Sequence, residues 1–211
     1  MAAPSGPDFF SFIGLSRKLN LDMADLEQRY RTLSRQFHPD FFYNATPAER
    51  RASLERSSYL NDAYRTLKNP IARVEYLLKL EGMATPSGHE AGNEARSNNI
   101  PAGLLEEVFA LNEELDEVRE MRAGGAPAGE LKARLERARR PIDAKRDEHE
   151  AQLAALSKQW DALVDGKSDA ADVNADVNNV AKTVLAALRD RVLERNYINN
   201  LLAGIERELN S

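Results

Sequence analysis

The sequence predicts an all-α protein, with an N-terminal helical hairpin and a C-terminal antiparallel three-helix bundle. Three observations carry this. Apolar residues recur at helical steps along most of the chain. The period-2 alternation that half-buried strands need is almost absent. Proline, glycine and small polar residues stand where the periodic stretches stop and start.

The elements follow in order. A short apolar stretch, FFSFIGL, comes first. In LDMADLEQRYRTLSRQF, Leu26, Tyr30, Leu33 and Phe37 fall at steps of 4, 3 and 4, one helical stripe. Asp22 is placed to cap that helix, because its carboxylate can accept from the first free amides. Arg29, Thr32, Arg35 and Gln36 lie on the other face. Pro39 ends the helix, since it lacks an N–H and pushes His38 toward extended geometry. The next helix opens at TPAE: Thr46 caps, Pro47 suits the first helical position and Glu49 completes a capping box. It runs to about Asn69, with Leu60, Ala63, Tyr64 and Leu67 on one face. PIARVEYLLKLEG forms a further helix that ends at Gly82.

Residues 83–99 are rich in Gly, Ser, Asn and Glu and read as a linker or mobile loop. Beyond it, helices are expected over 101–122, 129–165 and 172–209. The turn AGGAPAG separates the first two and DGKSD ends the second. Pro141 falls inside the second helix and should kink it. Short turns between sequential helices favour a bundle.

Bulk composition bounds the function. The 211 residues suit one large domain or two small ones, and 42% apolar with 30% charged residues allow a packed core. A net charge of −5 argues against a chain that coats nucleic acid or an anionic membrane. There are no cysteines, so disulfides, thiol nucleophiles and cysteine-ligated metals are excluded. No apolar run approaches the about 20 residues of a membrane span, and the N-terminus shows neither a secretory signal nor a transit peptide. The expected location is cytoplasmic.

The tripeptide His38–Pro39–Asp40 holds most of the functional signal. A His–Asp pair could serve general base catalysis, but the intervening proline makes a triad awkward and no serine or cysteine nucleophile presents itself. His89 and His149, the other histidines, lie in the linker and mid-helix. As a bare tripeptide the sequence is an ordinary turn. Readings as a small helical hydrolase using His38 and Asp40, or as a structural helical adaptor, remain open on these residues alone.

In the helix over 101–122, Leu104, Val108, Leu111, Leu115 and Val118 form a seam for other helices. Leu105 and Phe109 lie about 100–140° around from it, and Glu113 and Glu117 continue that line. An apolar pair beside carboxylates is a docking surface unless neighbouring helices wrap around and bury it.

Taken together, DFFSFIGL, LEQRYRTLSRQFHPD and LNDAYRTLKNPIARVEYLL resemble the J-domain, the module that stimulates the ATPase of DnaK-type chaperones. The last of these, with ALNEELDEV over 110–118, resembles the HscB family of J-protein co-chaperones of iron–sulfur cluster assembly. The resemblance implies a J-domain over 8–82 and, over 100–211, a bundle that binds the scaffold protein. It implies two partners, the DnaK-type ATPase HscA and the iron–sulfur scaffold IscU, and no catalytic residue, cofactor, nucleic acid or membrane. His38, Pro39 and Asp40 would form a rigid exposed loop against the chaperone. Arg29, Arg31 and Arg35 would steer it onto an acidic surface. Leu105, Phe109, Glu113, Glu117 and Tyr197 would contact the scaffold; Tyr197 lies off its own helix's seam through Leu188, Val192, Ile198, Leu202 and Ile205. Glu106 stands where the family is usually apolar, and Ala110 where it is commonly acidic. A general J-protein with a different client is the near alternative.

Other signals fail. DVNADVN over 172–178 lacks the glycine and final glutamate of a calcium loop, with Val177 and Thr183 in those places. No glycine-rich phosphate loop is present. Trp160, in register with Leu153, Leu156 and Leu163, reads as core. The Cys-rich zinc segment found before the J-domain in some family members is absent from this sequence.

Overall fold

The computed structural model describes residues 7–42, 44–83, 102–168 and 175–210, and every regular element among them is helical. Most of the 83–99 segment, His89 and the start of DVNADVN lie outside the described residues. The helices are α1 (Phe9–Ile13), α2 (Met23–Gln36), α3 (Pro47–Lys68), α4 (Pro70–Leu80), α5 (Leu105–Ala123), α6 (Ala128–Ser168) and α7 (Ala175–Leu209), with short 3₁₀ turns at Pro39–Phe42 and Ala102–Leu104. The chain divides into two compact units: Met1–Met83 with Leu156–Ala186, and Ala84–Ala155 with Ala187–Ser211.

Local chemistry sets the helix ends in the first unit. The Asp22 carboxylate accepts from the Ala24 amide at 2.8 Å. Thr46 and Glu49 form the expected reciprocal capping box, with Pro47 behind it. Asn69 separates α3 from α4 and caps the latter, its side-chain oxygen accepting from Ile71 and Ala72 at 3.0 and 3.1 Å. Gly82, at φ +73°, closes α4 with the Met83 amide donating back to Leu78 at 2.9 Å. The core joins Phe10 and Ile13 of α1, Leu26 of α2, and Leu60, Ala63 and Leu67 of α3. Of the α2 stripe only Leu26 is fully enclosed; Tyr30, Leu33 and Phe37 pack at its edge. Tyr30 stacks on Tyr64 at 4.1 Å between centroids, which holds α2 against α3.

The segment between α1 and α2 is gripped from two sides. Arg73, buried in α4, donates to the carbonyls of Leu67, at 2.6 Å, and of Leu19. Burial presses the Arg73 guanidinium below its usual range, and the Asp161 charge opposes that. Asp161 accepts from the Leu19 amide at 2.6 Å, the Asn20 amide at 2.9 Å and the Asn20 side chain at 2.8 Å. Trp160 donates its indole N–H to the Arg17 carbonyl at 2.7 Å. These bonds explain why Leu156–Ala186 cluster with the N-terminal helices. The sequence assigned all of 100–211 to one domain. The compact units cut across that range: Trp160, on its own helix's stripe, and Asp161, beside it, bond backbone groups of residues 17–20.

In the second unit Leu104, Val108, Leu111, Leu115 and Val118 meet Leu131, Leu135 and Ile142 of α6 and Ile198, Leu202 and Ile205 of α7. The predicted α5 seam is thus the core seam. Gly125, at φ +81°, makes the α5–α6 turn, and the Ala126 amide donates to Met121 at 3.0 Å. Ion pairs set the directions. Arg134 pairs with Glu114 while Lys145, farther along α6, pairs with Glu107, so α6 runs antiparallel to α5. Arg119 and Arg122 of α5 both bond Glu208 of α7 at 2.8 Å, and Gly103 lies beside Glu194, so α7 runs parallel to α5. The arrangement is the expected three-helix bundle. α6 passes through Pro141 as one element. His149 is buried and donates from Nε2 to the Arg191 carbonyl at 2.6 Å, a structural use.

Candidate docking surfaces

At the end of α2 the Phe37 carbonyl has no helical donor ahead of it, because Pro39 interrupts the chain. Ser53 and Ser57 of α3 fill that gap, donating to it at 2.8 and 2.7 Å. The corner is therefore pinned to α3 through its backbone, and its side chains are left outside. His38, Pro39 and Asp40 are all exposed, and the Asp40 side chain is 85% accessible. The Phe41 amide donates to the His38 carbonyl at 3.1 Å and closes the 3₁₀ turn. The Asp40 amide donates to His38 Nδ1 at 3.3 Å. The Asp40 carboxylate lies 3.4 Å from that same Nδ1.

The three arginines of α2 differ. Arg29 is drawn inward: its Nε donates to Asp25 at 2.9 Å and its Nη1 to the Gly14 carbonyl at 2.7 Å. Arg31 pairs with Glu27 at 2.5 Å on the open surface. Arg35 is exposed and has no carboxylate partner among the described residues. Sequence reasoning missed Ser53 and Ser57. Their signal was two hydroxyls four residues apart, leading into the buried Leu60, which mark a backbone acceptor across the hairpin. It also missed Phe41, which is 75% exposed.

On α5 the apolar pair stands clear of the bundle: Leu105 is 42% and Phe109 64% exposed. Tyr197 is half-buried against the core. Subtracting the 89-residue separation of Arg119 and Glu208 from 197 puts Tyr197 level with position 108 of α5. Leu105, Phe109 and Tyr197 therefore lie at similar heights along the bundle, Tyr197 beside Asn200, Leu201 and Glu206 of its own helix. Glu113 is exposed and without a basic partner among the described residues. Glu117 also faces solvent but is bonded to Arg134, so it belongs to the α6 side. The expected single track is thus two groups: apolar residues with Glu113, and a carboxylate neutralised by α6. Ala110 and Glu106 line a groove of about 650 Å³ between α5 and α6, opposite Arg137, Ala138 and Pro141. The small side chains of Ala110 and Ala138 leave it open.

Among the described residues no three His, Asp or Glu side chains are grouped to hold a metal ion. No helix among them is long and apolar enough to cross a membrane.

No family model matches the chain. The chain is 33% identical over 130 residues to the co-chaperone protein HscB of Proteus mirabilis (strain HI4320), covering 62% of this chain and 71% of that protein. Its fold is similar to the chaperone HscB from Vibrio cholerae, with TM-score 0.57, 26% identity, and coverage of 95% and 96% of the two chains. It is likewise similar to human co-chaperone protein HscB, with TM-score 0.59, 25% identity, and coverage of 98% of this chain and 84% of the human one.

Proposed function

The chain belongs to the HscB family of co-chaperones, and from that premise we propose that it stimulates the ATPase of a DnaK-type chaperone, HscA, and brings the iron–sulfur scaffold IscU to it. In this reading residues 8–82 act as the J-domain and the bundle within 100–211 holds the scaffold. The observation that carries the reading is the exposed corner at 38–40, held at its base where Ser53 and Ser57 donate to the Phe37 carbonyl.

The mechanism is differential binding. A co-chaperone accelerates hydrolysis by binding more tightly to the chaperone conformation from which hydrolysis occurs. Asp40 supplies the specific contact, since a short carboxylate on a fixed backbone can receive a guanidinium of the chaperone in one geometry. Arg35 and Arg31 supply long-range attraction to an acidic surface, which salt screens. Arg29 contributes mainly by fixing α1 against α2. Leu105, Phe109 and Tyr197 form the apolar contact for the scaffold and Glu113 its acidic flank; Glu117, held by Arg134, would join that flank only by exchanging its partner. Binding both partners raises the effective concentration of client at the chaperone. The chain supplies no cofactor, and the reading places it in the cytoplasm.

Two variants separate the halves. Asp40→Ala should abolish ATPase stimulation and leave scaffold pull-down unchanged. Leu105→Ala with Phe109→Ala should weaken scaffold binding by at least about 2 kcal/mol, the scale of a lost interface anchor, and leave stimulation without scaffold intact. If the double variant retains the scaffold as wild type does, the docking face is wrong.

A further inference from the structure

We propose that Phe41 is an aromatic anchor of the docking corner, received by an apolar recess on the ATPase chaperone beside the site that takes Asp40. The inference rests on the function proposed above and adds a residue and a contact chemistry to it.

Phe41 is the most exposed large apolar side chain among the described residues, at 75%. Among the described residues no hydrogen bond or core contact of Phe41 calls for an aromatic ring. The 3₁₀ turn is closed by the Phe41 amide, which any residue but proline would supply. The next residue, Phe42, is half-buried, so the exposed ring of the pair is Phe41. The Phe41 ring meets the His38 ring edge-on, with centroids 6.3 Å apart and planes at 78°. A phenyl side chain has only two rotatable bonds, so fixing it on binding costs little freedom.

Adjacency identifies the occupant. The His38 ring links the two residues: Asp40 lies 3.4 Å from its Nδ1 and the Phe41 ring meets its edge. A surface that encloses the His38–Asp40 corner therefore comes within reach of Phe41. The roles then divide. The carboxylate selects the conformation of the chaperone, and the ring adds apolar contact that slows dissociation. Arg35, exposed at the end of α2, adds charge to the same approach.

The test is a titration of a DnaK-type chaperone's ATP hydrolysis with the intact protein and with Phe41→Ala, Phe41→Leu and Asp40→Ala, each with wild-type helical content by circular dichroism. Phe41→Ala should raise the concentration for half-maximal stimulation about tenfold or more and keep the plateau. Phe41→Leu should recover most of that loss. If Asp40→Ala abolishes stimulation while the Phe41→Ala curve overlays wild type, the anchor is wrong and the proposed function stands. An unchanged midpoint with a lowered plateau also overturns the anchor, because Phe41 would then act by orienting Asp40. If Asp40→Ala stimulates like wild type, the functional reading falls and takes the anchor with it.

Discussion

Two connecting segments of the N-terminal unit, residues 14–22 before α2 and residues 37–42 after it, are held in opposite ways. The first is closed. Its backbone is bonded by Arg73, Trp160 and Asp161, and Lys18 reaches Asp165 at 2.5 Å. The second is open. Two serines fix the Phe37 carbonyl, and beyond that point His38, Asp40 and Phe41 bond only within the turn or face solvent. A segment whose backbone is satisfied by other elements contributes stability. A segment pinned at one end offers side chains whose bonding capacity is still free, which is what recognition of another molecule needs.

The largest effect on this contrast is expected from Asp161→Ala. It removes the acceptor of two backbone amides and leaves the buried Arg73 without the nearby negative charge. Urea unfolding should show a loss of about 2–4 kcal/mol, and Asp161→Asn, which keeps one acceptor, should lose less. A change under about 0.5 kcal/mol would mean that the closed segment is held by its apolar contacts alone.

Ser53→Ala with Ser57→Ala comes next. It leaves the Phe37 carbonyl without side-chain donors and should reduce stability by about 1–2 kcal/mol. Unlike Asp161→Ala, it should also reduce ATPase stimulation under conditions where the protein stays fully folded. Equal effects of the two changes on stimulation would erase the distinction between the segments.

The smallest effect is expected from acid. Burial alone would raise the Asp8 carboxyl, but the Ser11 amide and the Arg17 guanidinium outweigh it and hold Asp8 below the usual carboxylate range. A depressed folded-state value means that the contribution is complete above the unfolded value near 3.8 and is lost as pH falls through and below it. Asp8→Asn should therefore flatten the decline of unfolding free energy over roughly pH 5 to 3, measured by denaturant titration at several pH values. A parallel decline in variant and wild type would show that Asp8 does not respond to folding.

The difference between the two segments was half legible in the sequence. Capping at Asp22 and Thr46, the stop at Pro39 and the turn-out of His38–Asp40 depend on residues within a few positions, where spacing fixes geometry. The 3.6-residue period likewise placed Leu105 and Phe109 off the α5 seam. The grip on residues 17–20 was illegible, because Leu19 and Asp161 are 142 residues apart and a backbone amide leaves no trace in composition. The same limit applies to Arg29. Its partner Asp25 is one helical turn away and readable, whereas the Gly14 carbonyl that draws it inward depends on how α1 packs. Glu117 shows it again, since its pairing with Arg134 depends on the register of α5 against α6.

The most direct measurement is steady-state ATP hydrolysis by the cognate DnaK-type chaperone, alone, with this protein, with scaffold, and with both. The account predicts a clear rise with this protein alone, a further rise when scaffold is added, and a return to the basal rate when Asp40→Ala replaces the wild-type chain. A basal rate in the presence of wild-type protein and scaffold together would contradict it.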